Sequence, residues 1–187
     1  MGEVEDASAG GGPDDAQQVR ARRTTVDHVM ILQASPLRVW SVLTDFASHR
    51  YWKPFIQLAG DAVEGGDATY SFRVGWRGNP ISAAADIVRL EKPRAFVWTT
   101  GVAKLLLFEE AYELEPIPTG TRLRHSMSFT GLLGGPWLAL RRRTLEASLV
   151  SSDRSLERYL RRLAAQSGAK LRPTSARHGV KKTRGRK

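Results

Sequence analysis

The sequence predicts an α+β domain in which a curved antiparallel sheet of six to seven strands wraps around a long C-terminal helix. Segments of alternating apolar and polar residues follow one another between residues 54 and 130, and turn signals separate them. A helical apolar period then runs from Pro136 to Gln166. Two short helices follow the first strand, so helices and strands are segregated along the chain, as α+β folds require.

The first elements are a strand and two short helices. Residues 25–33 are rich in β-branched and aliphatic residues, and both parities are apolar, which predicts a strand covered on both sides. Ser35 and Pro36 predict a helix start, because serine is a good N-cap and proline fits the first helical turn. The helix ends near Asp45, and a second short helix or turn covers 46–51.

Strand-like segments make up the middle of the chain. They cover residues 54–61, 68–76, 81–91, 95–101, 107–115 and 121–130. Turn signals lie between four pairs of neighbouring segments, at residues 64–67, 77–80, 91–94 and 116–120. In the last segment a shifted register would bury Arg122 and Arg124, so the alternation specifies the register strongly.

The last element is a long amphipathic helix. Its apolar stripe consists of Leu138, Leu145, Leu149, Leu156, Leu160 and Leu163. Arginines occupy the opposite side, and Gly168 predicts the end of the helix.

Charge is distributed unevenly between the domain and its flanks. The 29 Lys and Arg against 19 Asp and Glu give a net charge of +10. We predict a disordered acidic leader at 1–24, a ligand-binding domain at 25–166 and a disordered basic tail at 167–187. The tail holds no aromatic residue. We therefore expect it to make only weak, non-specific contact with nucleic acid or an anionic membrane.

Several classes of function are excluded by residues that the sequence lacks. The absence of cysteine excludes disulfides, cysteine-ligated zinc, iron–sulfur clusters and thiol nucleophiles. The four histidines show no metal-ligand spacing, and neither a phosphate loop nor a Gly-x-Ser-x-Gly elbow occurs, so we expect no metal or cofactor. No apolar run is long enough to span a membrane, and the acidic N-terminus argues against a secretory signal, which predicts a cytoplasmic protein.

Two stretches carry a resemblance to a known family. They read ASPLRVWSVLTDFASHRYWKPF, from Ala34 to Phe55, and PTGTRLRHSMSFTG, from Pro118 to Gly131. Together with the terminal helix they resemble polyketide cyclase/dehydrase-type members of the SRPBCC (START-like, helix-grip) superfamily, over residues 25–166. The resemblance implies a cavity between the sheet and the long helix. The family usually has asparagine where this chain has Lys53, and a lysine there predicts a partly exposed side chain at a more basic cavity mouth.

The expected cavity lining is aromatic. Strand parity and the resemblance together give Trp52, Tyr70, Phe72, Trp76, Phe96, Trp98, Glu110, Tyr112, His125, Met127 and Phe129 as candidate ligand-binding residues. The alternative is that these rings only fill the core, because each large aromatic ring buries ~150–250 Å², which justifies its presence by packing alone.

Glu110 and His125 form a candidate catalytic pair. Each lies on the apolar parity of its strand, and a turn centred near residue 118 makes the two strands neighbours, with Glu110 opposite residue 126 and diagonal to His125. The two groups could act as an acid/base pair, anchor a polar group of a ligand, or form a satisfied structural pair. His28 on the first strand is a third candidate, which we expect to be structural.

Three functions remain open at this point. The leading one is the binding of a small hydrophobic ligand, such as a lipid, a polyketide or an aromatic compound, in the internal cavity. The second, which the resemblance implies, is a polyketide cyclase or dehydratase that uses His125 and Glu110 as acid and base. The third is a non-catalytic interaction protein with a basic tail.

Overall fold

The computed structural model describes residues 24–53, 56–73 and 80–170. Its strands are β1 (Thr25–Leu32), β2 (Ile56–Gly60), β3 (Asp67–Arg73), β4 (Pro80–Glu91), β5 (Ala95–Val102), β6 (Leu106–Ile117) and β7 (Gly120–Thr130). Its helices are α1 (Pro36–Leu43), a 3₁₀ helix (Phe46–Ser48), α2 (His49–Trp52) and α3 (Gly134–Lys170). The predicted α+β architecture is confirmed. The predicted acidic leader before Thr24, the tail beyond Lys170 and Trp76 lie outside the described residues.

The seven strands form one antiparallel sheet in the order β1-β7-β6-β5-β4-β3-β2. This order follows the chain from β2 to β7, and β1 then pairs with β7. The main core lies between the sheet, α1 and α3. It includes Leu32, Val39, Leu43, Phe96, Trp98, Tyr112, Leu123, Leu156 and Leu160. Among the described residues, no helix is long and apolar enough to cross a membrane.

The first helix begins as the sequence predicts. The Ser35 side chain accepts a hydrogen bond from the backbone N–H of Arg38, and Pro36 occupies the first helical position. The outer face of β1 departs from the prediction, because Val29 and Ile31 are about half exposed and nothing covers them among the described residues. One covered face is enough for a strand at the edge of an antiparallel sheet.

The β6–β7 hairpin is tighter than the predicted turn at 116–120. Ile117 pairs with Gly120, so the loop consists of two residues only. Glu110 consequently lies opposite Met127 rather than residue 126, although it remains diagonal to His125. Gly120 allows the tight turn because its φ of 141° lies in a region that residues with a side chain rarely adopt.

The long helix extends beyond both predicted ends. It begins at Gly134 instead of Pro136 and continues through Gly168 to Lys170. A glycine within a helix costs only about 1 kcal/mol relative to alanine, so it need not end the helix.

Replacement of Gly120 by alanine is expected to destabilise the domain by about 2–3 kcal/mol, from the unfavourable φ together with steric overlap. A Cβ there would lie 2.1 Å from the backbone oxygen of Leu32, at the end of β1. Chemical denaturation measures the change. Gly135→Ala is the matched control, because its Cβ meets no atom within 4 Å, and it should leave stability equal or slightly higher. Equal stabilities of the two variants would contradict the prediction.

Candidate functional site

A continuous chain of ionisable side chains crosses the interior of the domain. Its members come from five different parts of the fold and follow the order Lys53, Glu110, His125, Asp153, His28. Glu110, His125 and Asp153 are fully buried, Lys53 is 4% exposed, and only His28 reaches solvent appreciably. We call this set the buried charged chain.

Hydrogen bonds link each member of the buried charged chain to the next. The Lys53 ammonium donates to Glu110 Oε2, and His125 Nε2 donates to Glu110 Oε1 at 2.9 Å. On the other side of the imidazole, His125 Nδ1 donates to Asp153 Oδ1 at 2.7 Å. The second oxygen of Asp153 accepts from His28 Nδ1, also at 2.7 Å.

Sheet register explains why Glu110 and His125 each meet an aromatic ring on a neighbouring strand. Glu110 on β6 lies opposite Trp98 on β5, and the Trp98 indole Nε1 donates to Glu110 Oε2 at 2.8 Å. His125 on β7 lies between Tyr112 on β6 and His28 on β1. The Tyr112 ring stacks on the imidazole at a centroid distance of 4.1 Å.

Glu110 is held as a carboxylate. Burial alone would raise its pKa, but the Lys53 ammonium and the hydrogen bond and charge of His125 together lower the pKa to about 2. Trp98 completes its set of donors.

His125 is held as an imidazolium. Both of its ring nitrogens face carboxylate oxygens, which only accept hydrogen bonds, so both nitrogens carry a proton. Burial opposes this charge, yet Asp153 and Glu110 raise the pKa of His125 above its ordinary value. The charges of Lys53, Glu110, His125 and Asp153 therefore alternate in sign.

Lys53 corrects the sequence-based expectation of a partly exposed side chain, because it is buried. Its ammonium donates to Glu110 and, at 2.8 Å, to the Tyr112 hydroxyl. Burial lowers the pKa of Lys53, and the attraction of Glu110 opposes that shift. Ion pairing with Glu110 is what makes burial of this lysine tolerable.

A cavity of about 270 Å³ lies beside this lysine, between α3 and the sheet. It is lined by Trp52, Lys53, Ile56, Met127, Ala147, Ser148, Ser151, Ser152 and Ser155. The residues from α3 are all small, which leaves room between helix and sheet. Two buried polar atoms without a hydrogen-bond partner in the described part of the chain, Trp52 Nε1 and Ser152 Oγ, belong to lining residues. Both atoms are themselves buried, so the accessible wall of the cavity is mainly apolar.

The predicted site residues separate into three groups. Trp52 and Met127 line the cavity. Glu110 and His125 belong to the buried charged chain, and Trp98 and Tyr112 are hydrogen-bonded or stacked against it. Phe96 and Phe129 are buried, and Tyr70 and Phe72 are half-buried and stacked on each other. For all of them, ligand contact remains a prediction.

Sequence reasoning did not assign Lys53, Asp153 or the serines of α3 to the site. Asp153 did leave a signal, because it occupies the helical position between Leu149 and Leu156 in the middle of the apolar stripe. An acidic residue there has to meet a buried partner. For the serines there was no such signal, because small polar residues also suit a solvent-exposed helix face.

His49 predicts how stability depends on pH. Its Nε2 donates to the backbone oxygen of Leu43 at 2.9 Å, while its Nδ1 has no partner among the described residues. Burial, followed by the charge of Lys53, lowers the pKa of His49 from 6.5 to about 4. Below pH 6.5 the unfolded chain binds a proton that the folded protein does not, so acid favours unfolding. We expect stability to fall by about 2–3 kcal/mol between pH 6.5 and 4.5, as measured by denaturant titrations at several pH values.

The shifted pKa values of Glu110 and His125 do not add to this window. The contribution of Glu110 is lost only below pH 4.5, as the pH falls toward about 2. The raised pKa of His125 gives a contribution that is complete below pH 6.5 and is lost only at higher pH. His49→Gln keeps a donor for Leu43 and removes the titration, so its stability should be nearly constant in the window. A slope equal to that of the original protein would contradict the assignment.

Comparisons with known proteins agree with the fold. The sequence model of one family, described as polyketide cyclase / dehydrase and lipid transport, matches residues 23–168. A crystal structure of a protein from Nitrosomonas europaea has 18% identity and a TM-score of 0.64, and the match covers 76% of this chain and 97% of that one. A solution NMR structure of a protein from Arthrobacter aurescens has 17% identity and a TM-score of 0.62, and the match covers 88% of this chain and 95% of that one. A crystal structure of a Chromobacterium violaceum protein has 17% identity and a TM-score of 0.61, and the match covers 73% of this chain and 97% of that one. A comparison with curated proteins found no match to this sequence.

Proposed function

The chain belongs to the polyketide cyclase / dehydrase and lipid transport family, and on that premise we propose that it binds a small, largely apolar molecule in the cavity between the sheet and α3. The observation that carries the proposal is the cavity of about 270 Å³ with Lys53 in its wall. Its volume is close to the lower end of the range for small-molecule sites, about 300–1,000 Å³. A compact ligand is therefore favoured over a long lipid chain.

Lys53 gives the ligand its polar contact in this proposal. An ammonium group has three N–H donors, and Glu110 and Tyr112 accept two of them. The third is available to an oxygen of the ligand, such as a carbonyl, a hydroxyl or a carboxylate. This contact favours a ligand with an apolar body and one oxygen acceptor.

Glu110 and His125 have a positioning role in this proposal. Both are fully buried, both are paired with charged groups, and neither is among the residues that line the cavity. A direct role as acid and base would require them to contact a substrate. We assign to them the task of holding the Lys53 ammonium in place. A cyclase or dehydratase reaction at this site would accordingly use Lys53 as the contacting group.

A matched pair of helix variants tests the cavity. Ser151→Phe places a ring at a lining position of α3, whereas Ala165→Phe adds the same ring at an exposed position of the same helix that does not line this cavity. Native mass spectrometry of freshly purified protein, followed by titration with a hydrophobic fluorophore, measures binding. We expect saturable binding to the original protein and to Ala165→Phe, and a loss of at least about tenfold in affinity for Ser151→Phe, equal to about 1.4 kcal/mol. Equal binding by both variants would place the ligand elsewhere.

A second pair separates the polar contact from the apolar one. The double replacement Lys53→Met with Glu110→Gln removes the ammonium without leaving a buried charge unpaired. It should weaken binding of a fluorophore that carries a carboxylate and leave binding of the analogue with a methyl group in place of the carboxylate nearly unchanged. An equal effect on both probes would remove Lys53 from the proposal while keeping the cavity.

A further inference from the structure

One end of the domain exposes large apolar side chains in an unusual concentration. The β5–β6 turn contributes Val102 and Leu105, and the segment that leads into α3 contributes Leu132, Leu133, Trp137 and Leu140. Leu132 and Leu140 are 78% and 79% exposed. We call these six residues the apolar tip.

The two segments of the apolar tip are joined through their backbones. The N–H of Leu132 donates to the backbone oxygen of Lys104 at 2.8 Å, and the N–H of Leu133 donates to that of Leu105 at 2.9 Å. Gly131 makes the close approach possible, because a Cβ at this position would lie 2.8 Å from the carbonyl of Leu105. The apolar tip is therefore one structured surface rather than two independent loops.

Basic residues surround the apolar tip. Leu133, Trp137 and Leu140 are spaced four and three residues apart, so they lie along one side of the start of α3. At 100° per residue, Arg141 and Arg143 lie about 80° to either side of that stripe. Lys104 lies within the β5–β6 turn.

No acidic residue interrupts this surface in sequence. None occurs from residue 102 to 108, and none occurs from residue 130 to 145. The only charged residues within these two segments are therefore cations.

We propose that the apolar tip inserts into the surface of an anionic lipid membrane. Leucine side chains are favourable at the boundary between headgroups and acyl chains, and flanking arginine and lysine bind anionic headgroups. Trp137 is 37% exposed and packs on Phe129 at 4.6 Å, so it is a tryptophan at the depth where the interface would lie. A second copy of the chain fits less well, because two surfaces flanked by cations repel each other. The proposal does not depend on what the cavity binds.

Vesicle co-sedimentation of the full chain tests the proposal. The probes are vesicles of phosphatidylcholine alone and of phosphatidylcholine mixed with phosphatidylglycerol. We expect binding to the mixed vesicles, and a decrease of about tenfold or more in affinity for Leu132→Ser with Leu140→Ser. The control is Leu37→Ser with Val63→Ser, since these two aliphatic side chains are more than half exposed but lie outside the apolar tip, and it should bind like the original protein. The original protein and all variants share the segment after Lys170, so the charge of that segment cannot produce a difference in vesicle binding between them.

Two further readouts locate the contact. Arg141→Gln with Arg143→Gln should reduce the preference for anionic vesicles by about tenfold. Brominated lipids should quench tryptophan emission, and Trp137→Phe should remove most of that quenching. The proposal is overturned if both serine pairs bind alike, or if Trp137→Phe leaves the quenching unchanged. It is also overturned if the apolar tip instead supports a dimer in vesicle-free solution that Leu132→Ser with Leu140→Ser dissociates.

Discussion

Glu110→Gln is expected to lower the free energy of unfolding by about 3–5 kcal/mol, because it leaves the buried Lys53 ammonium without a counter-charge. Lys53 loses the carboxylate that its ammonium contacts, and His125 keeps only Asp153. Both positions have almost no access to water, so solvent cannot replace the lost charge. Urea unfolding at pH 7 measures the effect.

A double-mutant cycle shows whether the loss arises from the ion pair. Lys53→Met keeps most of the length and volume of the side chain, and in the double variant with Glu110→Gln the buried ammonium and its carboxylate partner are both absent. His125 and Asp153 still pair, and the glutamine oxygen can accept from His125 Nε2. We expect the double variant to be more stable than Glu110→Gln alone, with a coupling energy of about 1–3 kcal/mol. Additive effects of the two replacements would contradict the coupling inferred from the geometry.

Trp98→Ala should cost about 3–5 kcal/mol, since it empties the space of a fully buried ring. The Trp98 ring packs against Tyr70 at 5.1 Å and Phe108 at 5.3 Å. The replacement also removes the Nε1–H that donates to Glu110. The loss is measured by the same denaturation experiment.

Two variants separate packing from hydrogen bonding at this position. Trp98→Phe keeps most of the apolar contact and removes the donor, so its cost should be about 1–3 kcal/mol. Trp137→Ala, at a partly exposed position, should cost clearly less than Trp98→Ala. Stability losses of equal size at Trp98 and Trp137 would argue against the central place of Trp98 in the core.

The fold was predictable because its patterns are local. Residues 121–130 alternate so regularly that only one face could be buried, and the leucines of α3 repeat at helical spacing. The resemblance carried by the Trp52 region agrees with the family match. Prediction was less accurate where the sequence has no clear local pattern. The turn before Gly120 is tighter than predicted, so the register of β6 against β7 differs from the predicted one by one residue.

The site was predictable only in part, because helix–sheet contacts are not local. Parity placed Glu110 and His125 on the same side of neighbouring strands, and the structure brings them within hydrogen-bonding distance. The contact of His125 with Asp153 depends on how α3 lies across the sheet, which no spacing in the sequence specifies. Lys53 was noticed as unusual, but its burial depends on a carboxylate 57 residues away in the chain.

Asp153 affects how α3 docks on the sheet during folding. Leu149, Leu156 and Leu160 would bury similar apolar area if the helix slid along the sheet by one turn, about 5.4 Å. After such a slide, Asp153 would be buried without His125, and His125 would face a leucine instead of a carboxylate. A misplaced helix is therefore penalised by electrostatics even where its hydrophobic contacts are as good. Asp153 therefore favours one position of α3 on the sheet over positions that are shifted by a helical turn.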